Sequence, residues 1–147
     1  MGRIVFLLAA AAGLSACNGM GNPTTTSGFP TATVVSADSD FDLEVGKSAH
    51  VDGTNLTITF NGVTADSRCP LGVFCIQAGN ATVSLTATDS GGATTPITLY
   101  SNPTPSTPSS VKVAGYLISL EVVQPIRRRD VTIPPGGYVV TLHVSKT

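Results

Sequence analysis

The sequence predicts an all-β protein: a single antiparallel β-sandwich (Ig-like) or small barrel, following a signal peptide and a flexible tether. Three observations carry that expectation. From residue 38 onward apolar and polar residues alternate with period two, the spacing that turns one face of a strand into a core. Turn-forming pairs and clusters punctuate the alternation at Asp52-Gly53, Asn61-Gly62, Gly79-Asn80, Ser90-Gly91-Gly92 and Pro134-Pro135-Gly136-Gly137. Outside the first residues, no stretch carries apolar side chains at helical spacing.

The first element is a leader. Arg3 is followed by an apolar run from Ile4 to Ala12, then Gly13 and small residues up to Cys17, the charge, apolar, small-residue order of a secretory signal peptide. The run is too short to span a hydrocarbon core, which takes about 20 helical residues. Leu14-Ser15-Ala16-Cys17 resembles the lipobox of bacterial lipoproteins at all four positions. The resemblance implies cleavage after residue 16 and lipidation of Cys17, which anchors the chain to a membrane without a span. By the same resemblance, Asn18 in place of an Asp directs the protein to the outer membrane, facing the periplasm or the cell surface.

Residues 17–37 are rich in Gly, Pro, Thr and Ser with no apolar period, and read as a tether with a root-mean-square reach of about 25 Å. Loss of residues 1–16 removes Arg3 alone, leaving seven Lys and Arg against nine Asp and Glu and a net charge of −2. Without a basic excess there is no footprint for nucleic-acid binding.

Residues 38–147 are expected to form one β domain. Phe41, Leu43 and Val45 alternate with Asp40, Asp42 and Glu44. Leu56, Ile58 and Phe60 mark the next strand; Ala81, Val83, Leu85 and Ala87 another; Ile97 and Leu99 a shorter one. Residues 111–123 supply a long run with Tyr116, Ile118, Leu120 and Val122 on one face and a break at Gly115. Tyr138, Val140, Leu142 and Val144 point inward from the last strand. The proline-rich segment 101–110 reads as a surface loop. Seven or so short strands of this kind make a sandwich or a barrel.

The stretch DSRCPLGVFCIQAGNATVSL, residues 66–85, together with the terminal YVVTLHV strand, is similar to a recurring type of small exported bacterial protein with no assigned activity. The resemblance covers residues 41–147 and implies one compact domain; it carries over no catalytic residue.

Cys69 and Cys75 admit a disulfide, a metal pair or a redox centre. Five intervening residues exceed the usual zinc spacing, a thioredoxin-like motif needs Cys-x-x-Cys, and an exported location favours oxidation. A disulfide is therefore expected, pinning a turn ahead of a strand at Phe74 to Gln77, with Phe74 or Ile76 in the core. Its loop is either a pin or a preorganised tip for a partner, with Arg68 and Leu71 as candidate binding residues. Arg127, Arg128 and Arg129 form the one basic cluster, suited to anionic lipid headgroups or lipopolysaccharide phosphate, or simply a solvated loop.

His50 and His143 are the only histidines, His143 is expected to face solvent, and no Gly-x-Ser-x-Gly elbow occurs. Asp38, Asp40, Asp42 and Glu44 would line one strand face instead of converging on calcium; an EF-hand fails at Leu43 and Ala49, and a phosphate loop at Gly46-Lys47-Ser48 fails because its leading Gly would be Phe41. Asn22-Pro23-Thr24-Thr25 resembles the binding loop of chagasin-type protease inhibitors but has no companion loops and falls in the tether. The expectation is an envelope lipoprotein with a disulfide-pinned β domain in a binding or structural role, no catalysis, no cofactor and no metal. Its partners would be the membrane through its lipid and an envelope protein or lipopolysaccharide. The alternative is an envelope protease inhibitor or cofactor-free hydrolase.

Overall fold

The computed structural model describes residues 32–147, so the leader, Cys17 and the Asn22 to Thr25 stretch lie outside the described residues. Nine strands make up the fold: β1 (Thr33–Val35), β2 (Asp40–Glu44), β3 (Ser48–Val51), β4 (Thr57–Asp66), β5 (Ala81–Thr88), β6 (Thr94–Tyr100), β7 (Ser110–Val113), β8 (Tyr116–Gln124) and β9 (Val139–Lys146). One 3-10 turn, Pro135–Gly137, precedes β9. One sheet has the order β1-β3-β4-β5-β6 and the other β2-β9-β8-β7. Both sheets are open, so the fold is an all-β sandwich and not a closed barrel. The sheets are two meanders, β3 to β6 and β7 to β9, an order different from the ABED and CFG sheets of immunoglobulin domains. All pairings between strands are antiparallel except β1 with β3.

Strict alternation makes the core. β5 buries Ala81, Val83, Leu85 and Ala87, and β9 buries Val140, Leu142 and Val144 against them, with Ile58, Phe60, Leu99 and Ile118 filling the layer between. Tyr138 is buried just ahead of β9.

Several expectations need correction. The sheet reaches back at least to Thr33, into the stretch read as tether, because Thr33, Val34 and Val35 pair with Ala49, His50 and Val51. β3 had no clear sequence signal, since its inward residues are only Ala49 and Val51. Asn61-Gly62 is no turn: Gly62, at φ 142°, sits in a register shift between Phe60 and Gly62, and β4 runs on past a second shift to Asp66. In β8 a shift between Leu120 and Val122 flips the remaining strand, so Val123 is buried and Val122 exposed. The break at Gly115 is a tight hairpin turn, with Ala114 and Gly115 both at positive φ (51° and 83°), as a type I′ turn requires.

Candidate binding site at the disulfide-closed loop

β4 and β5 pair from Thr57↔Thr88 to Asp66↔Ala81, and the chain between them leaves the sandwich as a protruding hairpin, residues 67–80. Further rungs build its neck. Ser67 N donates to Asn80 O (2.7 Å), Cys69 N to Ala78 O (2.8 Å), and Asn80 N to Ser67 Oγ (3.0 Å). Asn80 ties the neck to the start of the proline-rich loop: its Nδ2 donates to Asn102 O (3.0 Å), and its Oδ1 accepts from Asn102 N (3.0 Å) and Ser101 Oγ (3.2 Å). Gly79, at φ 69°, packs so tightly that a Cβ would overlap the Ser67 carbonyl. Above the neck, Cys69 and Cys75 are joined by a disulfide with Cα atoms 6.0 Å apart. Closing so short a loop restricts the unfolded chain by about 2 kcal/mol in the loop-entropy model.

A second clamp holds the hairpin sideways. Arg68 lies at its base with its side chain only 16% exposed, against an Asp66 carboxylate 7% exposed. Arg68 Nε donates to Asp66 Oδ1 (2.9 Å), and one terminal nitrogen donates to Asp66 Oδ2 (2.7 Å). The guanidinium also donates to Val123 O and to Pro125 O (3.0 Å), at the end of β8 and just past it. Asp66 Oδ1 accepts from Arg68 N (3.1 Å), and Tyr138 Oη donates to Asp66 Oδ2 (3.3 Å). Burial alone would raise the Asp66 pKa, but the bonds and charge of Arg68, with the Tyr138 hydroxyl, bring it below the ordinary 3.8. Burial, then the Asp66 charge and hydrogen bond, push the Tyr138 hydroxyl above its ordinary 10.

The loop after β8 completes the platform. Leu71 N donates to Arg127 O (2.8 Å), Leu71 pairs with Arg128 in a parallel bridge, and an Arg127 terminal nitrogen donates to Arg68 O (3.1 Å). Arg127 is thereby half-buried against the hairpin, while Arg128 and Arg129 are exposed.

The apolar residues at the tip are the unexpected feature. Phe74 and Ile76 are 104% and 103% exposed, with no strand at Phe74 to Gln77 and neither side chain in the core. The physical reason is the neck: pairing passes through Ser67 and Asn80, so the residues beyond project past the edges of both sheets, where no layer exists to cover them. Leu71, Ile126 and Val131 are also exposed, so five of the seven large apolar side chains left open among the described residues belong to these two loops. Such clustering marks a contact surface more often than a chance scatter does.

The predicted site residues thus separate. Leu71 and the three arginines are brought together at one end of the sandwich. Arg68 is turned inward as the clamp. Phe74 or Ile76 was expected in the core; the place of Phe74 inside the disulfide loop, with Ile76 immediately after Cys75, was the signal that could have found them.

The histidines lie elsewhere. His50 is on the outer face of β3, with Nδ1 3.3 Å from Thr57 Oγ1. His143, on the outer face of β9, is solvent-facing as expected and sits 2.8 Å from Asp40 Oδ1. They occupy opposite sides of the sandwich. Asp40, Asp42 and Glu44 alternate outward along β2, with Asp42 accepting from Thr141 Oγ1 (2.7 Å). Comparison with family models, with curated proteins and with solved structures returns no match to this chain.

Proposed function

We propose that this chain is a lipid-anchored envelope protein, acylated at Cys17 and sorted to the outer membrane, whose β domain is a binding module working through the tip of the 67–80 hairpin. The observation that carries the reading is the contrast within that hairpin. Its base is fixed by backbone rungs, a disulfide and a mostly buried ion pair, while its summit presents fully exposed Phe74 and Ile76. A loop that only pinned the fold would have no use for two solvated large apolar side chains, whereas rigidity at a contact surface lowers the ordering cost of binding.

The test uses the full chain in a bacterium that processes lipoproteins. Palmitate labels the wild type and it fractionates with membranes; Cys17→Ala abolishes the label. Phe74→Ser with Ile76→Ser keeps the thermal midpoint and loses the envelope contacts that chemical cross-linking detects in the wild type. Labelling that persists in Cys17→Ala refutes the anchor, and contacts unchanged in the tip variant refute the binding site.

A further inference from the structure

Resting on the reading of the hairpin tip as a contact surface, we infer that its occupant is an anionic phospholipid bilayer surface, into which Phe74 and Ile76 dip while Arg128 and Arg129 engage headgroup phosphates.

The shape of the site selects this class. Phe74 and Ile76 project fully exposed from a protruding hairpin, which suits insertion into the soft boundary of a bilayer, and neither lines the concavities beside the neck, which are walled by Arg127, Val131 and Tyr138 on one side and by Gly79 and Asn102 on the other. Large apolar side chains beside Arg are the composition of interfacial anchors, the apolar part entering the acyl boundary and the cations meeting phosphate. Charge is distributed to match. The chain is acidic after loss of its leader, yet three of its arginines sit consecutively on the loop that docks against Leu71. Arg128 and Arg129 are exposed and form no ion pair among the described residues, which leaves them available to an anion.

Topology supplies an independent argument. β1 runs parallel to β3, Thr33 lies beside Ala49, and Ala49 lies opposite Ile58 of β4. Read backward from Thr33, the strand axis points along β4 toward Asp66, the end that carries the hairpin. From the level of Ile58 to Asp66 is about 26 Å at the rise of a strand. Residues 18–32, the chain between Cys17 and Thr33, span at most about 50 Å. β1 therefore runs away from the hairpin end, and with about 10 Å more for the neck from Asp66 to Cys69, residues 18–32 in an extended form are long enough for the tip and an anchored Cys17 to meet one membrane.

The chain contains no Trp, so Phe74→Trp installs a sole reporter at the tip. Residues 17–147, the chain left by removal of the leader, carrying Cys17→Ala and Phe74→Trp, are mixed with phosphatidylethanolamine vesicles made with or without phosphatidylglycerol, some bearing brominated acyl chains. The expected result is a blue-shifted emission, quenched by the brominated chains, with the phosphatidylglycerol vesicles. Arg128→Glu with Arg129→Glu abolishes the shift. In the Cys17→Ala background without the Trp, Phe74→Ser lowers cosedimentation with these vesicles about tenfold, the scale of one large apolar side chain returned to water. Circular dichroism at matched temperature confirms that each variant is folded. Emission indifferent to every vesicle overturns the inference, as does a shift that ignores phosphatidylglycerol and the arginines, or one produced only by envelope protein. Because the vesicle variants lack Cys17, a negative result leaves the acylation assay standing, and failed acylation leaves the vesicle result standing.

Discussion

Arg68→Ala should be among the most destabilising substitutions outside the apolar core. The guanidinium holds both oxygens of a carboxylate that is 7% exposed and reaches two carbonyls, of Val123 and Pro125, across the mouth of the sandwich. Removing it leaves the Asp66 charge with the Tyr138 hydroxyl as its only remaining side-chain donor among the described residues, and withdraws a donor from each carbonyl. Breaking a buried pair by deleting one partner costs about 3–5 kcal/mol, and the 16% exposure of Arg68 admits enough water to place this case near about 3 kcal/mol. Domains of this size hold about 5–15 kcal/mol in total. With a urea slope of about 1.5 kcal/mol per molar, the midpoint should fall by about 2 M at pH 7. Arg68→Lys should fall between, because a compact ammonium cannot bridge a carboxylate and two carbonyls at once. Asp66→Ala with Arg68→Ala should recover part of the loss, since no charge is then left stranded. A loss below about 1 kcal/mol, the worth of a solvated surface pair, would refute the reasoning and return Arg68 to the surface as a binding residue.

Two further outcomes follow from the same corner of the molecule. Gly79→Ala should cost about 3 kcal/mol or more in urea unfolding, because a positive φ and an overlap with the Ser67 carbonyl act together; Gly72→Ala, at φ 78° with open space around it, should cost only about 1–2 kcal/mol. The Asp66 carboxyl has a folded pKa below its unfolded value, so its stabilisation is complete above about pH 4 and is lost as pH falls through the lower folded value. Urea midpoints from pH 5 to 2 should decline, and Asp66→Asn should flatten that part of the decline. For Tyr138 the sign is opposite: its contribution is present below pH 10 and is lost as pH rises through the raised folded value.

Much of the sandwich was legible in the linear pattern, because period-two alternation is a local property. Ala81 to Ala87 and Tyr138 to Val144 each had only one face able to enter a core, and the structure buries those faces. The cysteines, too, announced a closed loop, since nothing else suited their spacing and company. What the sequence by itself did not determine was every feature that depends on a partner far along the chain. Val122 and Val123 exchange places because of a bulge against β9, and Asn61-Gly62, a turn by composition, is held in a strand by its pairing with β5. β1 reads as tether until β3 lies beside it. The same holds for the site. Arg68 is a clamp only because β8 ends over it, and Phe74 and Ile76 are exposed only because Ser67 and Asn80 close the neck beneath them. Apolar character is written in the residue; whether a layer of protein exists to receive it is decided by where the sheets end.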